Sequence, residues 1–101
     1  MITKEDLRFI SPEEIKGQGK QLSTPFWVLG IMLYELHFGR HPFANKNPKI
    51  MKALILKYPV SFPDVRSGSN ACSPETEMLI CDLLCKDWGQ RVGSERYETE
   101  I

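Results

Sequence analysis

Apolar and polar positions alternate along this chain in a way that predicts three helices joined by long connectors. The longest apolar run is Phe26-Trp27-Val28-Leu29-Gly30-Ile31-Met32-Leu33-Tyr34-Glu35-Leu36-His37-Phe38. Thr24-Pro25 precedes it, a hydroxyl suited to cap a helix and a proline suited to its first position, and Gly39 offers a stop. Only Glu35 and His37 interrupt its apolar surface, so the pattern predicts a helix buried on every side. A second helix starts at Asn47-Pro48, with Ile50, Met51, Leu54 and Ile55 at helical spacing, and ends at Tyr58-Pro59. A third starts at Ser73-Pro74, carries Thr76, Leu79, Ile80, Leu83 and Leu84 as its stripe, and stops at Gly89. Residues 1–22 read as polar and irregular, with Gly17 and Gly19 in a loop, and no pair of strands stands out.

The chain has 101 residues, enough for one small domain or a piece of a larger one. A run as apolar as Phe26–Phe38 is hard to wrap with so few residues, which points to a part of something bigger. It is too short to span a bilayer. Zero formal net charge argues against a general nucleic-acid or membrane-surface binder. Charge is locally uneven: no acidic residue lies between Glu35 and Asp64, where Arg40, Lys46, Lys49, Lys52 and Lys57 fall. A solvated basic helix face accounts for this, and contact with an acidic partner is the alternative.

Cys72, Cys81 and Cys85 form no metal-binding pattern, and His37 and His41 are distant from them. Cys81 and Cys85 are spaced to share a helix face as buried thiols. An odd cysteine count and no secretory leader suit a reducing, intracellular setting, with the cytoplasm as the expectation.

The order of short motifs resembles the carboxy-terminal lobe of serine/threonine protein kinases over nearly the whole chain. Phe9-Ile10-Ser11-Pro12-Glu13 looks like the Ala-Pro-Glu motif that closes the family's activation segment. The run from Phe26 to Leu36 is similar to its central F helix, and Gly39-Arg40-His41-Pro42-Phe43 to the Gly-x-x-Pro-Phe that follows. Leu79-Ile80, Leu83-Leu84, Asp87 and Arg91-Val92-Gly93 resemble the tail of the domain. Arg-x-Gly, with the Tyr58–Pro63 connector, resembles the cyclic-nucleotide-dependent branch; a calcium/calmodulin-type kinase is the second choice.

The resemblance implies a mainly α partial kinase fold over 1–101, carrying helices F, G and H without the amino-terminal lobe. It implies a structural ion pair between Glu13 and Arg91, against the alternative of two solvated charges. It assigns peptide-substrate contacts to Glu35, as the carboxylate for a substrate arginine, and to Asp6 and Phe9. A local salt bridge is the competing role for Glu35. No catalytic, cofactor-binding or metal-binding residue is expected in this chain. The glycine-rich loop, the strand lysine and the catalytic and metal-binding aspartates fall before Met1 in the family's order, so ATP and magnesium belong to a full-length parent. The expected partners are a protein or peptide substrate, or the missing kinase lobe.

Departures are visible too. Glu5-Asp6 stands where the family has Gly-Thr, Thr3 is near the usual activation-loop phosphosite but one residue out of register, and Pro25 replaces the aspartate that begins the F helix. They keep open a pseudokinase-like helical interaction module.

Overall fold

The computed structural model describes residues 7–63 and 72–94. Its elements are the helices α1 (Pro12–Ile15), α2 (Thr24–Phe38), α3 (Pro48–Lys57) and α4 (Pro74–Leu83). No strand occurs among the described residues. The fold is mainly α.

Three of the four helices begin at a side-chain cap. Asn47 and Ser73 accept hydrogen bonds from the Lys49 and Thr76 amides, and a proline follows each in the first turn. α1 lies inside the stretch read as irregular, and its signal is a capping box. Ser11 Oγ accepts from Glu14 N, while Glu14 Oε1 accepts from Ser11 N at 3.0 Å. At the far end of α2, Gly39 adopts φ 75°, the left-handed turn that closes a helix.

Three expectations are corrected. First, Thr24 is not the cap of α2: the helix starts at Thr24, and Ser23 before it makes no side-chain cap. The Thr24 hydroxyl accepts from Gln21 N at 2.7 Å and donates to Glu13 Oε2 at 2.6 Å. A buried carboxylate has claimed it. Second, α4 ends at Leu83, well before Gly89. Asp87 Oδ1 accepts the Gly89 amide at 2.9 Å and Arg91 Nε donates to the Cys85 carbonyl at 2.8 Å, so side chains replace the next helical bonds. Cys85 therefore lies beyond the helix, half-buried, and Cys81 is exposed.

The third correction concerns α2 itself. Trp27, Ile31 and Tyr34 are fully buried, but Leu29 is 47%, Met32 51% and Leu36 80% exposed. With exposed Pro25 they form one stripe at helical spacing, all of it apolar. The helix is buried along one face only.

The core gathers Trp27, Ile31, Tyr34, Phe43, Ile55, Ile80 and Leu84. α2 packs on α4 at Gly30, where an added Cβ would lie 2.8 Å from Leu84 Cδ2 and 2.9 Å from Leu83 Cβ. Trp27 stacks on Phe43 with centroids 6.0 Å apart. Lys86 Nζ sits 4.2 Å from the Phe43 centroid and donates to the Ile55 carbonyl at 2.6 Å, placing a cation at the carboxy-terminal end of α3. Burial and the neighbouring Arg91 charge lower its pKa to about 8. Arg40, Lys46, Lys49, Lys52 and Lys57 are all exposed to solvent.

Candidate functional site

Glu13 and Arg91 meet in the interior. Arg91 Nη1 donates to Glu13 Oε2 at 2.8 Å and Nη2 to Oε1 at 2.9 Å, a two-pronged grip between side chains that are both fully buried. α1 carries the carboxylate, and the loop after α4 carries the guanidinium. The bond from Thr24 and those from Arg91 to the Cys85 and Ser23 carbonyls complete the network. Among the described residues no buried side-chain nitrogen or oxygen lacks a hydrogen-bond partner. Burial alone would raise the Glu13 pKa, but the Arg91 and Thr24 hydrogen bonds outweigh it and hold the carboxyl below its ordinary value. The arrangement ties both ends of the described chain to the start of α2.

Glu35 lies near the other end of α2, on a partly exposed surface. Arg8 Nη2 donates to Glu35 Oε1 at 2.8 Å, and Nε lies 3.2 and 3.3 Å from the two carboxylate oxygens. Phe9 is half-buried against the core, with the Arg8 guanidinium 4.8 Å from its ring centroid. Asp6 and Thr3 lie outside the described residues. Phe9 and Ile10 also line, with Thr24, Pro25 and Val28, an open groove of about 900 Å³ beside the start of α2.

His41, inside the Gly39–Phe43 motif, carries no sequence signal for its role. Its Nδ1 accepts the Phe43 amide at 3.0 Å, so Nε2 carries the hydrogen and donates to the Arg8 carbonyl at 2.8 Å. Burial holds its pKa below the ordinary value, against the raising effects of that carbonyl and Glu35; Arg8 acts with the burial. The neutral ring is the one that fits. A group with a depressed folded pKa stabilises the fold above its unfolded value, and this contribution is lost as pH falls from about 6.5. The thermal midpoint is therefore expected to drop between pH 7.5 and pH 5.5, and to drop less in His41→Gln. Equal drops in the two proteins would refute this role.

No group of three or more His, Cys, Asp or Glu side chains among the described residues could hold a metal ion. No described helix is long and apolar enough to cross a membrane.

Residues 3–99 match the protein kinase domain family. The chain belongs to this family. The kinase chain is 38% identical over 93 residues to the serine/threonine-protein kinase nrc-2 of Neurospora crassa, covering 92% of the chain and 15% of that protein. It is 39% identical over 93 residues to flippase kinase 1 of Saccharomyces cerevisiae, with 92% and 10% covered. Protein kinase PINOID 2 of Arabidopsis thaliana is 38% identical over 96 residues, with 92% and 18% covered. The kinase chain thus spans less than a fifth of each of these three relatives.

Proposed function

We propose that residues 1–101 are part of the carboxy-terminal lobe of a serine/threonine kinase whose parent transfers the γ-phosphate of ATP to protein Ser or Thr. The cyclic-nucleotide-dependent branch is the preferred assignment, on Arg91-Val92-Gly93, and the calcium/calmodulin type is second. In this reading α2 is the hub helix, Glu13–Arg91 is a structural clasp, and Glu35, Phe9 and Asp6 face the peptide substrate. ATP and magnesium belong to the full-length parent, as the kinase resemblance implies. The chain alone is inert. The odd number of cysteines suits a reducing, intracellular compartment.

The observation that carries this reading is the bare apolar stripe of Pro25, Leu29, Met32 and Leu36 on the longest helix. A large exposed apolar face needs a cover, and the rest of a kinase domain supplies one. A second reading, a pseudokinase-like module that binds a partner through the same stripe, is favoured by the start of α2. Pro25 leaves no carboxylate there, and Thr24 is satisfied by Glu13.

The test adds a separately produced ATP-binding portion of the related yeast kinase to this chain and follows phosphate transfer to a serine peptide. Transfer by the mixture, none by the chain alone, and loss of transfer in Leu29→Glu/Met32→Glu are expected. Binding without transfer would favour the interaction module, and an absence of binding would count against both readings.

A further inference from the structure

The Glu35 carboxylate is gripped by an arginine of its own chain. Arg8 presents its Nε and Nη2 edge to both oxygens, the same edge that an arginine from outside would offer. Arg8 is 60% exposed and Glu35 19%, so the guanidinium lies on the solvent side of the carboxylate. The backbone that delivers it is pinned at the Arg8 carbonyl and again two residues later. His41 Nε2 holds the Arg8 carbonyl, and Trp27 Nε1, on a fully buried ring, donates to the Ile10 carbonyl at 3.1 Å. The Phe9 ring lies against the guanidinium. Arg8 is thus preorganised on Glu35.

We propose that Arg8 is a specificity-determining residue: it satisfies Glu35 from within the chain, so this kinase surface does not select a basic substrate residue there. The inference rests on the proposed kinase reading, in which Glu35 faces the peptide. An incoming guanidinium must displace Arg8 and meet its like charge. The linkage is intramolecular, so Arg8 competes at an effective concentration on the order of millimolar. Exposed ion pairs are weak, however, so the block is partial. Unmasking Glu35 raises affinity for an arginine peptide by up to roughly fivefold, the factor that a surface pair of this kind supports.

The test uses the 101-residue chain and two labelled peptides that differ only in carrying arginine or uncharged citrulline. Binding is followed by NMR shifts for the wild type, Arg8→Gln, Glu35→Gln and the double variant, with circular dichroism as the check that each is folded. The wild type is expected to bind both peptides within twofold. Arg8→Gln is expected to gain several-fold for the arginine peptide alone, and the double variant to lose that gain. A wild type that already prefers arginine tenfold, or a folded Arg8→Gln without a gain, would overturn the proposal. If that gain is absent while the ATP-binding portion still restores phosphate transfer, the plug is wrong and the kinase reading stands. If the gain appears without restored transfer, the plug stands and the catalytic reading falls.

Discussion

Arg91→Met is expected to destabilise the protein by about 3–5 kcal/mol, because it strands the Glu13 carboxylate in the interior. Two further groups lose a donor, the carbonyls of Cys85 and Ser23. Small domains have about 5–15 kcal/mol in all, so the variant is expected to sit near its unfolding threshold at room temperature. Glu13→Gln should cost less than Arg91→Met, since an amide can still accept one hydrogen bond from the guanidinium. The double variant Glu13→Leu/Arg91→Met should recover only part of the loss. Swapping a buried pair for apolar groups is often neutral, but here the backbone carbonyls that Arg91 served stay unpaired. Urea unfolding of the four proteins checks this, and a loss below about 1 kcal/mol in Arg91→Met would mean the pair is not the clasp described. The pH dependence has a definite sign. A carboxyl held below its ordinary value stabilises the fold above that value, and the contribution fades as pH falls into the acid range.

Trp27→Ala is expected to cost about 3–5 kcal/mol, the range for removing a large buried aromatic. Its ring is fully buried, stacks on Phe43, and lies 5.3 Å from Arg91 Cζ and 5.5 Å from Lys86 Nζ. Its indole N–H serves the Ile10 carbonyl, which links α2 to the segment that carries Arg8. Leu36→Ala, on the same helix, is expected to change stability by no more than about 0.5 kcal/mol, as a surface substitution does. Thermal unfolding of the two variants side by side gives the contrast. Equal losses would mean that the exposed stripe is covered in solution.

That contrast marks the limit of what hydrophobicity along the chain can say. Trp27 and Leu36 belong to one apolar run, and no periodicity within it separates the covered face from the bare one. Which face is covered depends on which elements are present to pack against it. α4 and the Phe43 loop cover one side of α2, and nothing described covers Leu29, Met32 and Leu36. α1 is different: Ser11-Pro12-Glu13-Glu14 spells a capping box in the sequence, so its signal was local and available.

What the sequence determined by itself is local. The starts of α3 and α4, the end of α2 and the order of the family's motifs follow from caps, prolines, one left-handed glycine and spacing, each acting over a few neighbouring residues. Only the tertiary structure decided what the polar side chains do. Thr24 turned from a helix cap to Glu13, the Cys85 carbonyl was drawn to Arg91, and Arg8 reached Glu35 across 27 positions. The reason is physical. A buried or half-buried charge takes the best donors or acceptors within about 3 Å, and which groups lie that close is set by packing between distant segments.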